Sequence, residues 1–521
     1  MGAPSSIGLR RGDAIAVWGL GTAVGLLAAA TILSFGGAWF PPLILLLVLA
    51  IVGRSVLLSW RVLVGGIVVV IFLVPIKRYT LPASLPFHLE PYRLIIAIVA
   101  AGWLTSMLID RGRVRLRASG LEPPLGLFVL AALVSVAVNG QDLGAVGLMP
   151  YVVKTLTFFA SFILLFSIVV SVVERRDDLY LLIRILVTCG AVVAATAVVE
   201  SRTGHNYFND LGRILPFLTF QDPRLTAGLD ASYLDRSGAL RAYASAAHPI
   251  ELSAVLVMLM PPAIVLRRST GNQRWLVAAL VLTLGALATL SRTGVVMLVV
   301  VALVFLWLRP RETRRLWPAL VPVVCIVYFA MPHTIGNFYS AFFPNGGLVA
   351  QQSAVVAGNE DIADGRVADL GPSLREAMRT PFFGQGFGSR VTDRQAAAQD
   401  HIPLARILDD QWLGTLLEVG IVGVLSLLWL LVRAIRRMAR LARDDPGDDG
   451  WMAVALAASI TAFAVAMLTF DALGFVQVTI LLFLLLAVSS VLARLPRVER
   501  APVPLRLSPA GPDHGRARAS A

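Results

Sequence analysis

The sequence predicts an all-α polytopic membrane protein with about 14 transmembrane helices, and three observations predict it. Hydrophobic residues make up 57% of the 521 positions and charged residues only 15%, whereas soluble chains carry about 25% charged residues. Many apolar runs approach the roughly 20 residues that cross a bilayer as a helix. Basic residues fall in short clusters between these runs. We therefore expect one transmembrane domain over residues 1–494 and a disordered cytoplasmic tail over 495–521.

The apolar runs define the predicted spans. They lie near residues 14–35, 38–53, 60–76, 93–109, 122–138, 151–174, 179–200, 249–266, 275–291, 293–308, 316–333, 411–432, 451–470 and 474–493. With the N-terminus in the cytoplasm, every inner connection carries arginine, as the positive-inside rule requires. Both termini are therefore predicted to be cytoplasmic. Because the basic residues are dispersed in this way, the net charge of +13 does not indicate a nucleic-acid partner.

Two long intervals, 201–247 and 334–410, fall on the outer side in this topology. Loops of this length without secondary structure of their own are usually functional. Both contain arginines that the positive-inside rule does not explain. Most of these are expected to be solvated partners of neighbouring acids, and those beside helix starts are candidates for anion binding.

Arg241 opens the segment RAYASAAHPIEL, which leads into the eighth span. Pro249 suits a first helical turn, so Arg241 and His248 lie near the positive end of a helix dipole, where a phosphate group is favoured. A plain contact at the helix N-terminus is the alternative for His248, and spacing alone favours that alternative. Arg292, in the turn Ser291–Gly294, is a further candidate ligand, although a simple polar hairpin is equally consistent with this turn.

Arg366 stands at the start of a predicted amphipathic helix. Apolar residues recur at helical spacing from Asp364 to Met378, which indicates a short helix lying on the membrane. Pro381 is expected to end this helix, and Gly384–Gly388 is expected to form a tight turn. Arg390 follows the turn and is included among the candidate substrate ligands.

Asp409 and Asp410 immediately precede the twelfth span. Acidic residues at this position are ordinary helix caps, and spacing alone favours that function. Two adjacent carboxylates in an arginine-rich site can also supply a general base. Glu418 lies about two turns into the same span, where an ionised group costs about 2.5–3.5 kcal/mol on insertion scales. We therefore expect Glu418 to have a partner, and include it among the substrate-binding candidates.

Three segments resemble the O-antigen ligase and O-antigen polymerase superfamily. They are RAYASAAHPIELSA (241–254), LATLSRTGVVML (287–298), and the outer loop with the helix that follows it, from GRVADL to LEVGIVG (365–423). The resemblance covers about residues 180–435. It implies a GT-C-like helical fold in the cytoplasmic membrane and a glycosyltransferase that needs no metal and no cofactor. Such enzymes move a glycan from a polyprenyl diphosphate carrier onto a glycan or lipid acceptor at the outer face, among membrane lipids.

The resemblance also implies functions for single residues. Arg241 and Arg366 match arginines that hold the diphosphate, which suits guanidinium groups because they bind phosphate oxygens bidentately. Asp409 falls where the ligase branch has its functional histidine, and the Asp-Asp-Gln sequence at 409–411 is closer to the polymerase-like branches. The expected mechanism is a single displacement with inversion, with Asp409 or His248 as the base.

A flippase for lipid-linked oligosaccharides, or another polysaccharide transporter, is the main alternative. A transporter is expected to show internal repeats and ionisable or broken segments near the membrane midplane. The sequence shows no clear repeat, and its polar residues concentrate on one face. A scaffold without activity would explain the hydropathy but not the arginines beside helix starts.

Overall fold

The computed structural model describes residues 59–81, 90–109, 115–221, 235–236, 239–315, 325, 370–392, 397–398, 400–405 and 408–496. Helices dominate this part of the chain, so the prediction of an all-α polytopic membrane protein is confirmed at that level. Arg366, nearly all of the predicted tail, the predicted spans 14–35 and 38–53, and all of 316–333 except residue 325 lie outside the described residues.

Fifteen helices occur within the described residues. They are α1 (Trp60–Leu73), α2 (Pro91–Ile109), α3 (Glu122–Val138), α4 (Gly140–Ala145), α5 (Met149–Val172), α6 (Arg176–Thr203), α7 (Leu211–Ile214), α8 (Pro249–Thr270), α9 (Arg274–Ala288), α10 (Arg292–Leu308), α11 (Pro310–Arg314), α12 (Leu370–Ala377), α13 (Gln411–Asp444), α14 (Asp448–Ala466) and α15 (Val476–Arg494). Eleven of them, all except the short α4, α7, α11 and α12, coincide with predicted spans. Seven (α2, α5, α6, α8, α13, α14 and α15) are long and apolar enough to cross a membrane. The total of fourteen spans and the GT-C-like arrangement stay predictions.

Long helices that follow each other in the chain run in opposite directions, except that α10 and α13, which are separated by residues outside the described ranges, run the same way. Their connections gather at two ends of a bundle. The backbone N–H of Gln411, at the start of α13, donates to the carbonyl of Met467, at the end of α14, over 2.8 Å. Nη2 of Arg309, after α10, donates to the carbonyl of Asp445, after α13, over 2.6 Å. We call the first end the site end. It comprises the described residues within 74–81, 139–148, 204–248, 289–291, 370–410 and 467–475. The other is the opposite end.

Three helices form the centre of the bundle. The most apolar stretches of α8, α14 and α15 are 83%, 78% and 94% buried, whereas that of α2 is only 28% buried. Helix α8 packs against α6, α9 and α14. The segments that lead into α8 and α15 are therefore held by the most buried helices of the described residues.

Two antiparallel ribbons of two strands each accompany the helices at the site end. Strand β1 (Tyr79–Thr80) pairs with β2 (Thr219–Phe220), and β3 (Asp235–Arg236) pairs with β4 (Ala239–Leu240). The first ribbon joins the connection after α1 to the long interval after α6. The hydroxyl of Tyr79 lies 2.7 Å from the carbonyl oxygen of Asn209, which strengthens this junction.

Helix α13 departs from the continuous span predicted over 411–432. It extends to Asp444, and its backbone leaves the helical conformation at Gly420, where φ is 75° and ψ is −170°. The break lies nine residues after the helix start, roughly 14 Å along the axis at 1.5 Å per residue. The sequence shows only a glycine in an apolar run, a pattern also found in unbroken helices.

Candidate functional site

Residues 241–248 cross the site end without forming a helix and lead directly into α8. His248 is the N-cap of that helix, and its Nδ1 accepts a hydrogen bond of 3.1 Å from the backbone N–H of Ile250. This is the helix contact that the sequence favoured for His248. A neutral imidazole whose Nδ1 accepts carries its proton on Nε2, so in this arrangement the ring presents a donor.

Arg241 lies at the other end of this segment and is only 4% exposed. Its Nε donates to the carbonyl of Thr289 over 3.2 Å, and the N–H of Ala242 donates to the carbonyl of Ala288 over 3.2 Å. These contacts bring Arg241 to the turn that precedes α10. Arg292 is the first residue of α10 and is half-buried. The structure therefore brings together the chain segments of the two predicted ligands Arg241 and Arg292.

Two buried glutamates accept hydrogen bonds from the backbone of segment 241–248. Glu200, near the end of α6, accepts from the backbone N–H of Ala244 over 2.8 Å. Glu251, in the first turn of α8, accepts from the N–H groups of Ala247 and Gln477 over 2.9 and 2.8 Å. Because these carboxylates satisfy backbone donors inside the bundle, we assign them a structural function.

Arg78 is a functional candidate that the sequence reasoning missed. It is 1% exposed, and Nη2 donates to the carbonyls of Ala244 and Ala246. Burial lowers the pKa of its guanidinium to about 10, since desolvation disfavours the charged form. A signal was present: Arg78 lies in a predicted outer turn, where the positive-inside rule does not account for an arginine.

The start of α13 distinguishes the two adjacent aspartates. Oδ1 of Asp410 accepts from the N–H groups of Trp412 and Leu413 over 2.8 and 3.1 Å, so Asp410 is the N-cap. Asp409 is exposed and leaves this capping function to its neighbour. Of the two carboxylates, Asp409 is therefore the one placed to meet a ligand, while its catalytic function stays a prediction.

The glycine-rich turn packs into the break of α13. The N–H groups of Gln385 and Gly386 donate to the carbonyls of Leu417 and Glu418 over 2.8 and 3.1 Å. In return, the N–H of Ile421 donates to the carbonyl of Pro381 over 2.8 Å. The break frees these helical groups, and the loop satisfies them, as backbone inside a membrane protein requires.

Glycine is required on both sides of this contact. Gly384, Gly386 and Gly388 have φ values of 64°, 115° and 80°, which confirms the tight turn predicted after Pro381. A Cβ atom on Gly420 would lie 2.3 Å from the carbonyl oxygen of Phe382. The loop and the helix therefore approach each other at backbone distance.

This contact brings Arg390 to Glu418. The backbone N–H groups of Gly388 and Arg390 interact with the Glu418 carboxylate, and the Arg390 guanidinium is its attractive charge partner. The partner expected for Glu418 is thus Arg390. The positive charge of Arg390 also acts on Asp471, which lies in the turn between α14 and α15.

Asp471 lies between the last two predicted spans, on the outer side of the predicted topology. Gln411 fixes this turn, because its Oε1 accepts from the N–H of Leu473 over 2.6 Å. Asp471 keeps an exposed surface although protein surrounds it, as expected for a group in a recess, and desolvation raises the pKa of its carboxyl group. Arg390 and Lys77 oppose this rise, and Asp409 adds to it. The recess therefore holds charges of both signs around the first two turns of α13.

Helix α12 confirms the described part of the predicted amphipathic helix. Its residue Ala377 is buried and belongs to the same small cluster as Leu417 of α13. Leu370 and Leu374, together with Met378 beyond its end, are 45%, 42% and 74% exposed. An apolar face of this kind suits a helix that lies on a membrane surface.

The predicted site residues thus form two groups at the site end. One contains Arg241, His248 and Arg292; the other contains Arg390, Asp409, Asp410 and Glu418. The turn between α14 and α15 connects them, because Thr469 lies 3.0 Å from Thr293 between hydroxyl oxygens and Phe475 lies 5.7 Å from His248 between ring centres. Within the described residues, no three His, Cys, Asp or Glu side chains are grouped as metal ligands.

Residues 277–428 match the family model described as O-antigen ligase. This match confirms the resemblance to the O-antigen ligase and O-antigen polymerase superfamily. The apolar helices described above make the chain a multi-pass membrane protein, and the matched segment is similar to O-antigen ligases. The comparison with curated proteins gives no match.

Proposed function

We propose that this protein transfers or polymerises a glycan, taking it from a polyprenyl diphosphate carrier to an acceptor hydroxyl. The reaction takes place at the outer face of the cytoplasmic membrane, needs no metal and inverts the anomeric centre. The acceptor is a second glycan or a lipid. The termini lie in the cytoplasm, so the site end faces outside.

The match of residues 277–428 to O-antigen ligase carries this proposal. The matched segment runs from α9 through the break in α13. It contains Arg390, Asp409 and Glu418 of the second group of site residues. It also contains Arg292 of the first group, which is the first residue of α10. Arg241 and His248 lie outside the matched segment, and the hydrogen bond from Arg241 to Thr289 supports their inclusion.

In the proposed reaction, the acceptor oxygen attacks C1 of the donor sugar. The bond between C1 and the diphosphate oxygen breaks, and its electron pair leaves with the diphosphate. Arg241 and Arg366 neutralise the charge that develops on this leaving group. The proton of the acceptor hydroxyl passes to the carboxylate of Asp409.

In this scheme His248 is a hydrogen-bond donor and not the base. While Nδ1 accepts from the N–H of Ile250, Nε2 carries the proton of the neutral ring, and in this scheme it donates a hydrogen bond to a diphosphate oxygen. His248 becomes a base only when it gives up the capping contact. Asp409 is therefore the first candidate for proton removal.

One observation favours a second candidate function, the flippase for lipid-linked oligosaccharides. Discontinuous helices are common around the binding sites of transporters, and α13 is discontinuous at Gly420. A transporter would move the carrier across the bilayer and leave every bond of the donor intact. This difference in bond cleavage distinguishes the two functions.

The test uses the purified full-length protein, a polyprenyl-diphosphate-linked oligosaccharide and a chelator. Release of free carrier diphosphate and the size of the glycan product are measured for the wild type and for Arg241→Ala, Arg366→Ala and Asp409→Asn. Arg437→Ala, at the opposite end, is the matched control. We expect release by the wild type and the control, and its loss in the three site variants.

The products then define the reaction. A ladder of lengthening glycans identifies a polymerase, and a single block on a second acceptor identifies a ligase. Dependence on the removed metal would contradict metal independence. Movement of the carrier across liposomes without bond cleavage would replace the proposed function by the flippase.

A further inference from the structure

Ala244 lies in the middle of segment 241–248 and has a φ of 41°. A residue with a side chain is strained in this left-handed region, and such a conformation persists only where its surroundings fix it. Strained backbone of this kind clusters at functional sites. The groups that fix Ala244 therefore bear on the site.

Side chains of opposite charge bind the two polar backbone groups of Ala244. Its N–H donates to Oε2 of Glu200 over 2.8 Å. Its carbonyl oxygen accepts from Nη2 of Arg78 and from Nδ2 of Asn206, the latter over 3.0 Å. Asn206 also donates to Oε1 of Glu200 over 3.0 Å, so the acid and the amide act as one unit.

The geometry of Arg78 explains why the residue is arginine. The same Nη2 also donates to the carbonyl of Ala246 over 2.7 Å, and Nη1 donates to Oδ1 of Asn209 over 3.0 Å. The guanidinium carbon lies 4.8 Å from the ring centre of Tyr243. A planar fork can bind several acceptors and stack on an aromatic ring at the same time, whereas a lysine ammonium cannot reproduce this arrangement.

Arg78 does not contact substrate in this arrangement. Its side chain is almost completely buried, and the partners described above occupy both terminal nitrogens. Burying an arginine carries a desolvation cost that only well-placed partners offset. Its effect must therefore pass through the segment that it binds.

We infer that Arg78 and Glu200 are positioning residues, which together hold Ala244 in its left-handed conformation and thereby set where Arg241 and His248 lie. These two residues occupy the ends of the held segment, one beside the turn before α10 and one at the start of α8. The consequence for catalysis rests on the proposed function. The consequence for the conformation of the segment does not.

The first test replaces Arg78 by lysine, which keeps the charge but loses the contacts to several acceptors. Hydrogen exchange of the amides in residues 242–247 is expected to accelerate, because the clamp on Ala244 is weakened. The kcat for glycan transfer is expected to fall by about 10²-fold, the effect of a misplacement near 1 Å. The KM for the carrier-linked donor is expected to change much less.

The second test is a rescue. Glycine adopts a positive φ without steric cost, so Ala244→Gly combined with Arg78→Lys is expected to recover about tenfold in kcat, the equivalent of the strain removed. The matched control is Ala242→Gly in the same background. Ala242 is also buried but has no positive φ, so no recovery is expected.

Several outcomes would overturn the inference. They are unchanged exchange of residues 242–247 in Arg78→Lys, full activity of that variant, or equal recovery from glycine at position 242. Where Arg78→Lys does not yield folded protein, Asn206→Ala takes its place in the same comparison. A different result separates the two claims. If the wild type cleaves no lipid-linked donor but hydrogen exchange of residues 242–247 accelerates in Arg78→Lys as expected, the proposed function is wrong and the positioning of the segment is established.

Discussion

The two ends of the bundle are both rich in arginine, and at both ends arginines bind backbone carbonyls, but the surroundings of these arginines differ. At the opposite end, Arg433 donates to Gly120 over 2.6 Å, and Arg494 donates to Val170 and Val173 over 3.1 and 3.0 Å. The contacts of Arg494 satisfy carbonyls that the C-terminus of α5 leaves without partners. These arginines mark the predicted inner connections in the sequence, and in the structure they also join neighbouring helices by hydrogen bonds.

The two ends also differ in the acidic residues at their helix starts. At the opposite end, acids occupy the first turns of α3, α6 and α14, namely Glu122, Asp177, Asp178, Asp448 and Asp449. At the site end, the first turns of α5, α10 and α15 contain no acid, whereas α8 has Glu251 in its first turn and α13 is capped by Asp410. Acids compensate the positive end of a helix dipole. Hence the starts of α5, α10 and α15 retain a field that favours an added anion, whereas the acids at α3, α6 and α14 weaken this field at the opposite end.

The number of arginines at one end therefore does not by itself indicate an anion site. The helix termini beside the arginines have to be considered as well. Arg241 and Arg292 adjoin helix starts, and Arg390 adjoins carboxylates in a recess. Arg268 and Arg309 at the opposite end instead lie over the ring of Trp451, at 4.4 and 5.5 Å. The site variants below therefore have their controls either at the opposite end or at a nearby position of the chain.

The largest effect is expected from Asp409→Asn. If Asp409 removes the acceptor proton, kcat falls by about 10²–10⁴-fold while binding of the carrier-linked donor is retained. Asp410→Asn is the adjacent control, because asparagine caps helices about as well as aspartate. Initial rates at saturating donor measure both. Equal losses in the two variants would show that the distinction between cap and base is wrong.

Gly420→Ala is expected to have the next largest effect. The positive φ and the 2.3 Å approach of Phe382 oblige the loop or the helix to move, so the free energy of unfolding should fall by about 2–4 kcal/mol. Gly414, in the same helix, has nothing closer than 3.9 Å to an added Cβ. Gly414→Ala should leave stability unchanged or raise it by about 0.5–1 kcal/mol. Denaturation in detergent provides the measurement, and a stable Gly420→Ala protein would contradict the tight fit.

Glu418→Gln is expected to have an intermediate effect. Loss of one charged partner in the recess should lower kcat/KM about tenfold, as for one hydrogen bond to a charged group. Glu174 at the opposite end forms an exposed ion pair with Arg117, so Glu174→Gln should change stability by about 0–1 kcal/mol and leave kcat/KM unaltered. If Glu418→Gln retained full kcat/KM for both donor and acceptor, Glu418 would be a structural residue only.

Arg437→Ala is expected to have the smallest effect. Arg437 donates to the carbonyl of Ser119, and its removal should lower the free energy of unfolding by about 1 kcal/mol without changing turnover. Thermal unfolding and the glycan-transfer assay on the same preparation test this. Lost turnover at unchanged stability would mean that the opposite end takes part in the reaction.

Hydropathy and charge were sufficient to predict eleven of the described helices and their alternating direction, because span length and connecting arginines are local properties of the chain. The break in α13 was not predictable in this way. It depends on the contact between Gly420 and Phe382, which are far apart in sequence, and a glycine in an apolar helix is otherwise ordinary.

The candidate site was predicted in part for the same reason. Capping was predicted at 409–410, but periodicity cannot decide which of two adjacent carboxylates reaches the amides of Trp412 and Leu413. Arg78 was not identified, and no function was predicted for Glu200, because their common partner, Ala244, is distant from both in the chain. Arg366 lies outside the described residues, so its predicted function is unaltered.

The shared backbone hydrogen bonds between residues 381–386 and α13 have a consequence for biogenesis. The first half of α13 completes its hydrogen bonding only with the loop that precedes it in the chain. During synthesis this loop is complete before α13 is made. The backbone groups at the break of the helix are therefore all hydrogen-bonded only when the loop has docked. Assembly of this region thus follows the direction of the chain.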